Sequence, residues 1–136
     1  VTFLLDTNIL IYLMKRTPLS VVRRIDALPA QTRLGMSFVS WAELLKGAER
    51  SVRRDEMRQR LDQLARTVPV LYDIDQRLCD HYARHSALLK AQGTPIGGND
   101  LWIACHALSE DATLVTNNLR EFEGIAGLRL ANWVDS

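Results

Sequence analysis

Much of what would place this chain in a specialised class is missing. It has only two cysteines, Cys79 and Cys105, and neither has the close partner of a zinc site or a redox pair. Both stand in apolar, helix-like contexts and read as reduced, buried thiols. The N-terminal apolar run Phe3-Leu4-Leu5 is cut at Asp6-Thr7-Asn8 and has no basic residue before it, so it makes a poor signal peptide and no membrane span. A cytoplasmic protein is the resulting expectation. Neither sign of charge dominates: 17 basic against 16 acidic residues leave +1, so any nucleic-acid surface must come from local clustering. There is no internal repeat, low-complexity tract or linker, and 136 residues suit one domain, residues 1–136, able to bury roughly two thirds of its unfolded surface.

What is present is organised around Thr2 to Tyr12. A short apolar run that stops at Asp6 reads as a strand covered on both faces, as in a parallel sheet. Thr7-Asn8 then suits a helix start, and the carboxyl ends of such strands are where open α/β sheets bind ligands. Asp6 is therefore either a plain N-cap or the first acid of a site. The choice turns on whether later strand ends also deliver acids, because several convergent carboxylates hold a divalent ion where one does not.

They do. Ser20 reads as the cap of a second helix that runs to Leu28 and stops at Pro29. Leu34 to Val39 reads as a second strand, after which Ser40-Trp41-Ala42-Glu43 has the spacing of a capping box. That box explains Glu43 without function, yet it also folds the carboxylate over the rim that carries Asp6. Lys46 to Arg66 reads as one amphipathic helix with an Arg-rich polar face. That face is either solvated or tracks phosphates, through Arg50, Arg53, Arg54 and Arg58.

Val68 to Tyr72 reads as a third strand, after which Asp73-Ile74-Asp75 starts a long helix reaching about Gln92. His81 and His85 are one turn apart on it but lack the Glu and the third ligand of a metal motif. Gly93-Thr94-Pro95 breaks that helix. Asp100 then enters at the first turn of a nearly all-apolar helix, where it either complements the helix dipole or, being partly buried, needs a cation or several donors. Glycines 97 and 98 lack the Lys-Ser or Lys-Thr of a phosphate loop, and His106 reads as a satisfied core histidine. Thr113-Leu114-Val115 reads as a fourth strand ending in Thr116-Asn117-Asn118. If Asn118 caps the next helix, Glu121 stands where it can fold back to the rim, as a capping-box acid or a fourth site acid. A last strand near Leu128 to Leu130 leads to Trp133, expected to pack across an edge of the sheet.

The order of these polar stations resembles the PIN-domain ribonucleases over the whole chain. Leu4-Leu5-Asp6-Thr7-Asn8 is similar to the family's opening motif, Ser40 to Gly47 to its Glu-bearing helix, and Asp100 to Ala104 to its central Asp helix. Val115-Thr116-Asn117-Asn118 through Glu121-Phe122 to Trp133 resembles the VapC toxins of bacterial toxin-antitoxin pairs. The resemblance implies a three-layer α/β/α sandwich with a mainly parallel central sheet. It also implies a homodimer, dependence on Mg2+ or Mn2+, and inhibition by a VapB-type antitoxin, with DNA met only through that antitoxin. The activity implied is endonucleolytic cleavage of RNA, in the nearest relatives in the anticodon loop of initiator tRNA. Asp6 and Asp100 then serve as metal ligands and Glu43 as a third acid, with Asn8, Thr116 and Asn118 as supporting polar groups. One departure stands out: many family members have Asp where this chain has Asn118.

Hard divalent ions fit such oxygen donors independently of the family name. Two other readings stay open. A haloacid-dehalogenase-like phosphatase would use Asp6 as nucleophile, but it wants an acid at position 8 and a Lys before Asp100. An idle antitoxin-binding module would have no need for three acids in register.

Overall fold

A computed structural model of the chain describes residues 1–135. In chain order the elements are β1 (Thr2–Leu5), α1 (Thr7–Lys15), α2 (Leu19–Asp26), β2 (Arg33–Ser37), α3 (Phe38–Glu49), α4 (Arg54–Thr67), β3 (Val70–Leu71), α5 (Gln76–Ala91), α6 (Gly98–Ser109), β4 (Thr113–Val115), α7 (Leu119–Phe122) and β5 (Leu130–Ala131). The five strands form one sheet in the order β3-β2-β1-β4-β5, and every pairing is parallel. Helices cover both faces, giving the α/β/α sandwich the sequence implied.

Alternation along β1 divides the core in two. Neighbouring residues of a strand point to opposite faces, so Leu4 joins the cluster built on α5 and α6, with Leu78, Leu89, Leu101 and Ile103. Leu5 joins the cluster on the other face, with Ile9, Leu10, Leu44, Leu61 and Trp133. Both leucines are fully buried, and truncating either to Ala should cost about 2–5 kcal/mol.

The topology also fixes where a site can form. From β1 the chain winds outward through β2 to β3, then returns across the sheet to β4 and winds the other way. The reversal lies between β1 and β4, and the crevice at the carboxyl ends of those strands is the switch point that binds ligands in open α/β sheets. Asp6 and Thr116 follow those two strands directly, and the Asp6 N–H donates to the Val115 carbonyl at 2.9 Å.

Several local readings are corrected. Strand β2 stops at Ser37, whose hydroxyl caps α3 by accepting from the Val39 N–H at 3.1 Å; Ser40 lies inside the helix, so Glu43 belongs to no capping box. Helix α2 starts at Leu19 behind Pro18 and ends at Asp26, while the Ser20 hydroxyl accepts from the Asp135 N–H at 3.2 Å. The Lys46–Arg66 stretch is two helices, because Ser51 accepts from the Arg53 N–H at 3.1 Å and turns the chain. The last strand is Leu130–Ala131. Trp133 covers a face of the sheet, its ring 5.1 Å edge-on from Phe3 of the central strand. Cys79 is exposed on α5 and Cys105 buried, where burial pushes the Cys105 thiol up to about 12.

Candidate active site

Four acids from four segments meet at the switch point. Asp6, Glu43, Asp100 and Glu121 line one cavity of about 170 Å³ together with Thr7, Asn8 and Asn118. The structure brings together six positions singled out from the sequence, Asp6, Asn8, Glu43, Asp100, Asn118 and Glu121, and adds Thr7 to them. Thr116 stands behind them, fully buried, and reaches the cluster through Asp6.

Asp6 caps α1 and is held twice. Its Oδ1 accepts from the Thr7 N–H at 2.8 Å and its Oδ2 from the Thr116 hydroxyl at 2.8 Å. It is only 5 % exposed. Burial raises its pKa above the ordinary carboxylate value; the Thr116 and Thr7 hydrogen bonds pull against that rise, and the charges of Glu43 and Glu121 add to it.

Glu43 is placed by a hydroxyl bridge that spacing along the chain does not reveal. Thr7 Oγ1 donates to Glu43 Oε1 at 2.8 Å and lies 3.0 Å from the buried Ser40 hydroxyl. A hydroxyl has one proton to give, so with Thr7 donating to the carboxylate, the Ser40 proton serves the second contact. Thr7 and Ser40 are thus the positioning groups that sequence reasoning missed, and the only signal was their proximity to two suspected acids.

Asp100 sits in the first turn of α6. Its carboxyl is pushed up to about 7, first by burial, then by a hydrogen bond shared with Glu121 and by the charges of Glu121, Asp6 and Glu43. Glu121 is steadied by Asn118, whose Nδ2 donates to Oε2 at 2.7 Å, while the Asn118 N–H donates to Thr116 Oγ1 at 3.0 Å. Asn118 therefore directs an acid instead of being one. The sequence had Asn118 capping α7 with its side chain; that side chain makes no cap bond.

The electrostatics define what this cavity can do. Two carboxylates about 4 Å apart repel by ~4 kcal/mol at an effective dielectric constant near 20, whereas a neutral hydrogen bond returns only about 0.5–1.5 kcal/mol. Hydroxyls and the amides of Asn8 and Asn118 cannot balance four acids, and among the described residues no Lys or Arg lines the cavity. Protons answer part of the repulsion: burial and the neighbouring charges raise Asp6 and push Asp100 up to about 7. An oxygen-loving divalent cation answers it better. The donor set fits such an ion, although among the described residues no three acid, histidine or cysteine side chains are already drawn into a closed metal cage.

The residues predicted to meet RNA lie elsewhere. Arg50, Arg53, Arg54 and Arg58 are all exposed around the turn into α4. Two of them face acids of their own surface: Arg54 is 3.6 Å from Glu49 and Arg58 is 3.4 Å from Asp62. His81 and His85 stack on α5 with ring centres 6.2 Å apart, away from the acids. His106 is only half satisfied: Nδ1 is 2.9 Å from the Ser37 hydroxyl, and the buried Nε2 has no hydrogen-bond partner.

Residues 3–128 match the model of the PIN domain. The chain belongs to the PIN-domain family. Within that family it is 47% identical over 131 residues to Ribonuclease VapC1 of Haemophilus influenzae strain R2866, covering 96% of this chain and 97% of the relative. A tRNA(fMet)-specific endonuclease VapC from Shigella flexneri is 38% identical over 131 residues, with 96% and 97% covered. The fold superposes on the 2.2 Å structure of VapBC-1 from nontypeable H. influenzae with a TM-score of 0.93 at 44% identity, covering 99% of this chain and all of that one. PIN-domain membership accounts for an acid-lined cavity at the switch point of a parallel sheet and leaves a phosphatase reading with no observation in its favour.

Proposed function

We propose that this chain is the toxin of a type II toxin-antitoxin pair, an endoribonuclease that hydrolyses RNA phosphodiesters with a divalent ion held by Asp6 and Asp100. The observation that carries the reading is the convergence of Asp6, Glu43, Asp100 and Glu121 on one cavity at the β1/β4 switch point. Residues 1–136 act in it as a single PIN domain. Mg2+ or Mn2+ suits the all-oxygen donor set.

When bound, the ion polarises the phosphoryl group, lowers the pKa of an attacking water and offsets charge on the departing oxygen. The protein's own groups prepare the cavity for that. Thr116 and the Thr7 N–H fix both oxygens of Asp6. The Thr7 hydroxyl directs Glu43 inward, and Asn118 does the same for Glu121. Asp100 is pushed up to about 7 by burial and by its neighbour Glu121, so its proton must leave before it can serve as a donor. Glu43 and Glu121 then stand as the acids able to take a proton from water. Among the described residues no histidine lines the cavity, so attack by water, leaving a 5'-phosphate, is favoured over attack by the RNA 2'-hydroxyl.

The similarity to a tRNA(fMet)-specific endonuclease supports initiator tRNA, cut in the anticodon loop, as the substrate. The match to a VapBC complex supports a VapB-type antitoxin as partner, and similarity to DNA-bound VapBC structures fits DNA reached through that antitoxin; the toxin itself acts in this reading as a homodimer. No helix among the described residues is long and apolar enough to cross a membrane. Sequencing RNA ends after brief expression tests the reading: wild type should produce one dominant set of 5'-phosphate ends that Asp6→Asn does not. The same ends from both proteins would refute it.

A further inference from the structure

The acid cavity has two neighbours that share its walls. Through Thr7 and Glu43 it adjoins a groove of about 400 Å³ lined by Ile11, Leu44, Ala48 and Leu61 among others. Through Glu121 it adjoins a second cavity of about 450 Å³ between the end of α5, the loop that follows, and α7. The same two segments that deliver Asp100 and Glu121 form the facing walls of this second cavity. Gly93, at φ +73°, reverses the chain after α5, and the Thr94 N–H returns to the Leu89 carbonyl at 2.9 Å. The loop then runs through Pro95 and Ile96 to α6 and Asp100.

An RNA strand whose phosphodiester lies against the four acids must continue past them on at least one side. The groove beside Thr7 and Glu43 offers mostly apolar walls with Lys15 and Arg60 at its margin, the Arg60 guanidinium already bonding the Met14 carbonyl at 2.9 Å. The cavity beside Glu121 offers three things a nucleotide needs: an apolar floor in buried Leu89 and half-buried Ile96, amide and hydroxyl groups in exposed Gln92 and Thr94, and the guanidinium of exposed Arg120. Single-stranded RNA is read by packing the base face on a flat or apolar surface and bonding its edge. A Gln amide, with both donors and an acceptor, can tell one edge from another. Glu123 in the same wall repels phosphate and confines the backbone to the Arg120 side.

Resting on the endoribonuclease reading, we infer that this cavity seats the base of the nucleotide flanking the cut phosphodiester. Its face packs on Leu89 and Ile96, its edge bonds Gln92 and Thr94, and Arg120 holds the adjoining phosphate. The site is specificity-determining: it sets base preference on one side of the cut.

The test uses hairpin RNAs that carry each of the four bases at each position flanking the cut mapped for wild type. The double variant Gln92→Ala with Thr94→Val should lower kcat/KM roughly tenfold for the preferred base at one flank. It should leave the other three bases nearly unchanged, so preference flattens there alone. Arg120→Gln should raise KM for all four bases without altering their order. Preference kept at both flanks, or an equal loss for every base, would overturn the inference. Failure of the underlying reading is distinguishable, because wild type would then cut none of the hairpins. A second arm needs no cleavage: fluorescence anisotropy of the same hairpins with Asp6→Asn. Base-dependent Kd values that the double variant levels support the site, and base-independent values overturn it.

Discussion

Helix α6 buries titratable side chains near both ends, and the two ends are handled in opposite ways. At its start Asp100 faces Asp6, Glu43 and Glu121, a crowd of one sign with no basic side chain of the described residues in the cavity. Toward its end the fully buried His106 bonds the Ser37 hydroxyl and lies 3.7 Å from Glu110. There burial holds the imidazole below its ordinary pKa, and the charges of Asp73 and Asp75 only partly oppose that. Glu110 in turn is pushed upward by burial and by Asp73. The distal group sets a neutral imidazole and the Arg33 charge among Glu110, Asp73 and Asp75, so its acids have a basic side chain to offset them. The proximal cluster costs stability until something positive arrives, which marks it as the functional one.

The largest effect should come from breaking the proximal side. Asp6→Asn or Asp100→Asn should lower cleavage by on the order of a hundredfold or more. The metal-free melting temperature should hold or rise, since a repelling charge has gone. A variant that cuts as fast as wild type, with EDTA also without effect, would end the metal mechanism.

Next comes the asymmetry within the proximal cluster. Glu121→Gln should weaken Mn2+ binding about tenfold and slow cleavage with it, while Asn118→Ala, which only frees the Glu121 side chain, should do less. If Glu121→Gln leaves both unchanged, the site runs on Asp6, Glu43 and Asp100.

The distal side should affect folding more than chemistry. His106→Leu removes a buried hydrogen bond and should cost about 1–2 kcal/mol in urea unfolding, with cleavage at saturating ion within about twofold.

The two ends should also give opposite pH slopes in metal-free protein. Between the unfolded value of 3.8 and about 7, folded Asp100 keeps a proton that the unfolded chain has lost, so stability falls as pH rises through that window. His106 is lowered from 6.5, so its share of stability is present above 6.5 and is lost as pH falls below it. Melting curves across pH 4 to 8 should show a shallower first slope in Asp100→Asn, with Asp6 and Glu110 supplying the rest, and a shallower second slope in His106→Leu, with His85 supplying part of the rest.

The smallest effect on stability belongs to the Arg-rich turn, because exposed ion pairs contribute little. Converting Arg50, Arg53 and Arg58 to Gln together should leave melting nearly unchanged while weakening RNA binding and flattening its salt dependence. An unchanged salt slope would make this a solvated face.

How far these ends were legible in the sequence differs. Asp6 and Asp100 were readable because an acid that ends a buried strand or opens a buried helix needs a partner. Glu121 was readable from its spacing to Asn118, although the contact is made by the Asn118 side chain. Glu43 was found for a wrong local reason: Ser37 and Ser40 can each cap a helix, and Phe38-Val39 fits a buried strand end as well as a buried helix start. The choice falls to pairing across the sheet, since β3 supplies its last partner at Ser37. The break at residues 50–53 was hidden because Ser51 turns the chain without Gly or Pro. Thr7 and Ser40 became visible only once α1 and α3 stood side by side.

The central claim is that the acid cluster holds protons in place of a cation. Calorimetric titration of Mn2+ near pH 6.5, in two buffers of different ionisation enthalpy, measures that exchange directly. Binding should release on the order of one proton, and Asp100→Asn should abolish the release along with most of the affinity. Binding without proton release, unaltered by Asp6→Asn and Asp100→Asn, would contradict it.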